Sequence, residues 1–271
     1  MTVEYVDYAE YYDFDHAITL DIDFYLDLAR QCGSPILELA CGTGRLLVPL
    51  LEAGFEVYGV DISENMLAVC RSKITEKHLS HRAHLALADM AKFELPRKDF
   101  ALGFVALRSF MHLLTPEDQI ACLRAVYEHL RPGGTFVLNI IAPDLDRLAQ
   151  KPDDAYVVRQ EFDLPNGHHV LRKERLVRHD VVQQVRQFEF KFEEFDTAGA
   201  LARERVVPLY TRYTFRHELQ LLFERAGLKM VEVYRDYAKN PYDGTGELIA
   251  VARRPHRGDM NRKHKIDRSA Q

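Results

Sequence analysis

The stretch ILELACGTGRLLVPLLEAGFEVYGVD, residues 36–61, decides the fold. It opens on the apolar run Ile36 to Ala40, which follows Pro35 and has the length of a buried strand. A glycine-rich turn around Gly42 and Gly44 comes next, and Arg45 to Ala53 reads as a helix closed by Gly54 just past its last turn. Phe55 to Asp61 is a second strand. This unit builds parallel sheets with helices on both faces. Glycines in the turn let the backbone approach a ligand closely, and the helix start behind them presents unpaired N–H groups. A nucleotide-like cofactor is therefore expected on the turn. A dinucleotide-binding turn would place a third glycine where Leu47 stands. Asp61, at the end of the second strand, is placed to accept both hydroxyls of a ribose.

The same alternation continues outward. Ser63 caps a helix from Glu64 that carries Met66, Leu67, Val69 and Cys70. Ala83 to Asp89 and Phe100 to Leu107 are the next two strands, and Asp89 is placed to meet an adenine amino group. Thr115-Pro116-Glu117-Asp118 starts a helix with a capping hydroxyl, proline in the first turn and acids facing the positive end of the dipole. Arg131-Pro132-Gly133-Gly134 ends it, and Thr135 to Ile141 is a fifth strand. Glu38 lies beside the glycine turn, placed to meet an ammonium group.

Beyond Pro143 the period shortens to two. Val182 to Phe195 interleaves Phe188, Phe190 and Phe192 with charges, as expected of an antiparallel strand with one face covered. Leu164-Pro165-Asn166-Gly167 and Thr197-Ala198-Gly199-Ala200 supply hairpin turns. Residues 155–215 hold 10 Lys/Arg against 9 Asp/Glu, so this sheet is charged but balanced. A helix returns at Arg216 to Ala226, followed by strands Leu228 to Tyr237 and Glu247 to Arg254. The expected fold is thus an α/β, Rossmann-like, seven-stranded, mostly parallel sheet with helices on both faces, carrying an inserted antiparallel sheet. Residues 1–144 and 216–254 form the core, 145–215 the insertion, and 255–271 a disordered basic tail.

Composition limits the partners. Of 271 residues 47% are hydrophobic and 28% charged, which is ordinary for a globular chain. No apolar run approaches the roughly 20 residues that span a bilayer, so no membrane partner is expected. The acidic, aromatic start MTVEYVDYAEYYDFDHA is unlike a secretory signal, and a cytoplasmic location is expected. A net charge of −5 argues against sequence-independent binding to nucleic acid, which needs a basic face. Cys32, Cys41, Cys70 and Cys122 lack metal-site spacing and read as free thiols. His78, His81 and His84 flank a helix-to-strand connection without a carboxylate partner and read as surface, so no metal is expected.

The segments ILELACGTGR, VYGVDISENML, LALADM and LRPGGTFVLNI resemble the successive cofactor motifs of class I S-adenosylmethionine-dependent methyltransferases. The resemblance implies methyl transfer to a nitrogen or oxygen of a small-molecule acceptor. It implies that Glu38, Ala40, Gly42 and Gly44 surround the methionine part of S-adenosylmethionine, with Arg45 and Leu107 in the same cofactor set. Asp61 would hold the ribose, Ile62 and Met66 would flank the adenine, and Asp89 with Met90 would meet its edge. VALRSFMHLLTPEDQ resembles the segment after the fourth strand in small-molecule members, including amino-sugar N-methyltransferases, where a histidine faces the acceptor. That histidine is His112 here, the candidate catalytic base, with Arg108 and Ser109 as candidate acceptor contacts. Arg108 is equally placed to pair with a carboxylate of the protein. The stripe Tyr5, Tyr8, Tyr11 and Tyr12 reads as an amphipathic helix, and the resemblance implies that Tyr12-Asp13 closes over the cofactor as a lid.

Two other readings share these features: a nucleotide-dependent oxidoreductase, and a non-catalytic cofactor-binding module on the same fold. The insertion is expected to roof the acceptor pocket or to form a homodimer contact, because its apolar face must be buried somewhere.

Overall fold

The computed structural model describes residues 9–16 and 19–256. Tyr5, Tyr8 and the basic stretch 257–271 lie outside the described residues. In chain order the elements are helices α1 (Ala9–Asp15) and α2 (Ile22–Cys32), strand β1 (Ile36–Leu39), α3 (Leu47–Glu52), β2 (Val57–Asp61), α4 (Glu64–Glu76), β3 (Ala83–Leu87), β4 (Phe100–Val105), α5 (Pro116–His129), β5 (Leu130–Ile141), α6 (Leu145–Leu148), β6 (Val157–Asp163), β7 (His169–Asp180), β8 (Val185–Phe195), β9 (Leu201–Arg212), α7 (Arg216–Arg225), β10 (Lys229–Tyr234) and β11 (Glu247–Arg253).

Two sheets result. The larger runs β10-β11-β5-β4-β1-β2-β3, and the smaller runs β6-β7-β8-β9. Strands β1 to β5 are parallel, while β11 pairs antiparallel with both β5 and β10. The parallel strands are apolar on both faces because helices cover both. One buried cluster, with Phe100, Phe136 and Phe223, fills one side; another, with Tyr25, Leu47, Leu51 and Phe104, fills the other. Each such fully buried aromatic contributes about 1.5–3 kcal/mol. Among the described residues no helix is long and apolar enough to cross a membrane.

The capping signals hold where they are local. Ser63 accepts from Met66 N at 3.3 Å, and Thr115 accepts from Asp118 N at 3.1 Å. Elsewhere boundaries differ from expectation. The first core helix starts at Leu47 rather than Arg45, because Gly42 and Gly44 both carry positive φ and prolong the turn. Arg131 to Gly134, expected as a stop, lies inside β5: Gly133 N donates to Arg254 O, and Arg254 N donates to Gly134 O. Val182 to Gln184, expected as strand, belongs to a turn closed by Gln183 N on Asp180 Oδ1 at 3.0 Å with Gln184 at φ 58. At the far end, Gly133 leaves room for the ring of His256, so packing extends into the segment expected to be tail.

The second sheet is tied to the first by a small core of its own. Tyr11, Met66, Val170, Phe192 and Val207 pack together, joining α1, α4 and the smaller sheet.

Candidate active site

A cavity of about 810 Å³ lies between the carboxyl edge of the larger sheet and one face of the smaller one. Ligands of open α/β sheets bind at this edge. Of the residues singled out from sequence, Tyr12, Ala40, Gly42, Asp61, Ile62, Met66, Asp89, Met90, Leu107, Arg108, Ser109 and His112 line it. Glu38, Gly44 and Arg45 do not.

The loop after β1 is held in an unusual backbone shape. Ala40 and Gly42 both have φ 55, and Gly44 has φ 83. Leu107 and Arg108, after β4 on the neighbouring strand, have φ 47 and 65. Three non-glycine residues in the left-handed region around one cavity mark a backbone held against its own preference by its surroundings. Asp61 supplies part of that hold: its carboxylate accepts from Gly42 N at 2.7 Å and from Ser63 N at 2.8 Å. Burial raises its pKa, and the N–H groups of Ser63, Gly42 and Ile62 oppose the rise. A carboxylate has four acceptor sites, so these N–H groups leave acceptor capacity for a ligand.

Gly44 acts on packing. A Cβ there would lie 2.6 Å from Cys70 Sγ of α4, and the positive φ disfavours any side chain. A Gly44→Ala variant is expected to lose about 1–3 kcal/mol of stability, read as a lower Tm. A Tm equal to wild type would show that the loop can relax without cost.

Arg45 is turned away from the cavity and onto Asp21, with Nη1 and Nη2 donating to the two carboxylate oxygens at 2.6 Å each. It fixes the start of α2 beside the loop. Glu38 sits behind the loop, 3% exposed, and its Oε2 has no hydrogen-bond partner in the protein. Burial, then the neighbouring Cys70 thiol, pushes its carboxyl well above the usual range. A buried acid oxygen without a donor is costly unless a ligand supplies one.

Helix α1 lies across the glycine turn. Thr43 Oγ1 donates to Asp13 Oδ1 at 2.6 Å, Lys73 pairs with Asp13 at 2.6 Å, and the Tyr12 ring approaches Gly42 and stacks on His16 at 4.4 Å. Its other side grips the smaller sheet: Tyr11 OH donates to Glu194 Oε2 at 2.6 Å, and Asp15 pairs with Arg172 at 2.7 Å.

After β4, a single 3₁₀ turn, Ser109–His112, carries the histidine. His112 Nδ1 lies 2.9 Å from the backbone oxygen of Tyr210 in β9. A carbonyl only accepts, so Nδ1 carries the proton and Nε2 the lone pair. Burial lowers the His112 pKa and the Tyr210 carbonyl raises it by less, so the ring is neutral at pH 7. Arg108 follows the alternative the sequence left open: its Nε donates to Glu247 Oε1 at 3.0 Å, and Asn139 Nδ2 holds the same carboxylate at 3.0 Å. Asp89 also serves its own turn, accepting from Ala91 N at 2.9 Å. His84 pairs with Glu56 at 3.2 Å and stacks on Tyr58, and no metal-binding group of residues occurs among the described residues.

Sequence reasoning left the insertion as roof or dimer contact and named none of its lining residues: Arg172, Arg186, Phe188, Phe190 and Thr211 of the smaller sheet, with Tyr213 just after β9, complete the cavity. Their signal was the period-two face of β8, in which Arg186 is in phase with Phe188 and Phe190.

Comparison with known proteins agrees with this geometry. A family model described as a methyltransferase domain matches residues 36–134. A curated relative, the dTDP-3-amino-3,4,6-trideoxy-alpha-D-glucopyranose N,N-dimethyltransferase of Streptomyces venezuelae, is 32% identical over 47% of this chain and 58% of its own length. The glycine/sarcosine N-methyltransferase of Halorhodospira halochloris is 25% identical over 94% of this chain and 91% of its own. The first curated relatives matched are spanned over only about half of their length, from 50% to 58%. Among solved structures, the CcbJ methyltransferase from Streptomyces caelestis superposes with a TM-score of 0.70 at 28% identity, over 88% of this chain and 90% of that one. A methyltransferase domain is thus matched over residues 36–134, and the motif-bearing residues and the strand order are similar to those of S-adenosylmethionine-dependent methyltransferases.

Proposed function

We propose that the protein transfers a methyl group to a nitrogen or oxygen of a small-molecule acceptor, bound in the cavity between the two sheets. One observation carries this: a single cavity joins Asp61 and the glycine turn to His112 and the roof. The names of the relatives, both N-methyltransferases, favour nitrogen. The oxidoreductase reading loses ground because Leu47, standing where a dinucleotide turn has glycine, is fully buried in the core.

The residues present fit S-adenosylmethionine. Asp61 would take the ribose, Ile62 and Met66 the faces of the adenine, and Asp89 with Met90 its edge. The loop from Ala40 to Gly42 would hold the methionine part, and the orphaned Glu38 oxygen, buried behind that loop rather than on the cavity wall, would be the acceptor for its ammonium group if the loop admits it. When bound, the group supplies an electrophilic methyl on a sulfonium. The protein's own work is to align the acceptor lone pair and to exclude water. Helix α1, through Tyr12 and Asp13, would cover the cofactor side. His112 would receive the proton of an amine or hydroxyl at Nε2, with Tyr210 fixing the ring through Nδ1.

The smaller sheet serves this reading as a roof. Its apolar face, with Phe188, Phe190, Val207 and Leu209, turns to the cavity, while Gln187, Glu189, Lys191 and Glu193 alternate onto the other side. A dimer contact would need the apolar face outward. The test is turnover of methyl-labelled S-adenosylmethionine with fractionated pools of small amines and alcohols. Label in a small product, with release of S-adenosylhomocysteine, is the expected result; failure of S-adenosylmethionine to bind in calorimetry would overturn the reading.

A further inference from the structure

Arg186 is a buried cation that the fold does not neutralise. It lies in β8 in phase with Phe188 and Phe190, paired across the sheet with His179 and Thr211, and its side chain lines the cavity. The residue is 7% exposed. Its Nη2 donates to the Gln150 side-chain oxygen at 3.3 Å, the guanidinium lies 4.8 Å from the centre of the Phe188 ring, and its Nε has no partner. Among the described residues no carboxylate comes within ion-pair distance.

Two other arginines with little exposure are treated differently. Arg172, on the same cavity, pairs with Asp15 at 2.7 Å, and Arg212 pairs with Glu218 at 2.5 Å while also reaching Gln119 and Gln184. Near Arg186 stands a second cation, Arg147 of α6, exposed, lining the cavity and also without a carboxylate partner. Burial, then the Arg147 charge, lowers the Arg186 pKa, although the charge of Glu174 opposes it. A desolvated charge facing a like charge is costly, and the cost is removed when an anion enters. A purely structural arginine, held by Gln150 and Phe188, would gain nothing from Arg147 beside it.

We propose that Arg186 and Arg147 form an oxyanion subsite at the end of the cavity built by β8 and α6, and that the methyl acceptor carries a carboxylate or phosphate group seated there. Guanidinium presents paired N–H donors that match both groups. The neighbouring Phe188 and Phe190 then face the carbon skeleton of the acceptor, and His112 faces its nucleophile. The identity of the bound molecule as acceptor rests on the methyl-transfer reading; the anion site itself does not.

The experiment is calorimetric titration of the full chain with inorganic phosphate and, separately, with acetate, each with and without S-adenosylhomocysteine. Wild type, Arg186→Gln and Arg147→Gln are compared, and Tm is measured in buffer free of both anions. Saturable binding of at least one anion is expected, weaker by at least about tenfold in Arg186→Gln and by a smaller factor in Arg147→Gln. Which anion binds tells carboxylate from phosphate. Without anion, Arg186→Gln should melt no lower than wild type, since an uncompensated charge is gone. Absence of saturable binding to wild type, equal binding by both variants, or an Arg186→Gln Tm many degrees below wild type would overturn the subsite. Arg147, exposed, gives a folded variant in any case. Loss of S-adenosylhomocysteine binding with anion binding intact would instead strike only the methyl-transfer reading.

Discussion

A folded Asp61→Ala variant is expected to bind S-adenosylmethionine about tenfold to a hundredfold more weakly than wild type. Removing one carboxylate leaves two ribose hydroxyls without a charged acceptor in a largely dry site, a loss of about 1.5–3 kcal/mol. The structure adds a second cost. Asp61 also accepts from Gly42 N and Ser63 N, so the substitution orphans two backbone donors and loosens the turn that carries Ala40 and Gly42. The two costs separate experimentally: the orphaned donors lower the Tm of the protein alone, whereas the ribose term appears only in the calorimetric Kd. Asp61→Asn, which keeps the shape and one acceptor oxygen, should fall between wild type and alanine in both measurements. An unchanged Kd in folded Asp61→Ala would remove Asp61 from the cofactor site.

The parts of the fold that sequence reveals are those whose signals are local. Ser63 and Thr115 announce helix starts because each cap bonds a backbone N–H three residues on. Arg131 to Gly134 misleads because its partner, Arg254, is more than a hundred residues away, and only the ladder of β11 makes that segment extended. The strained positions were illegible for a different reason. Gly42 and Gly44 advertise positive φ, but Ala40, Leu107 and Arg108 adopt it under tertiary constraint, with no residue-type signal. The acceptor side is the least legible. The alternation of β8 shows that Arg186, Phe188 and Phe190 share a face, yet nothing in the chain tells whether that face meets the cavity or a second copy. Arg45 shows the reverse case: its place beside the glycine turn suggests a ligand contact, and Asp21, 24 residues earlier, takes its charge instead.

Replacing His112 by alanine is expected to lower turnover by about 10²- to 10⁴-fold while leaving cofactor affinity nearly unchanged, because a proton acceptor interacts chiefly in the transition state. The geometry gives this a pH signature. The Tyr210 carbonyl fixes the proton on Nδ1, and burial holds the pKa of the ring below its ordinary value of 6.5. The base must be neutral to act, so the limb that belongs to His112 rises with pH through a midpoint below 6.5 and is flat above it. In His112→Ala that limb should vanish, and whatever pH dependence remains belongs to the acceptor itself. A structural histidine makes the opposite forecast. Losing the Tyr210 bond would then detach the Ser109–His112 turn from β9, lowering Tm while the surviving fold turns over at nearly the wild-type rate. His112→Gln distinguishes the two further, since an amide can still donate to Tyr210 O but cannot take up a proton. Restored Tm with turnover still depressed in that variant is the expected result, and wild-type turnover in either variant would end the assignment of His112 as base.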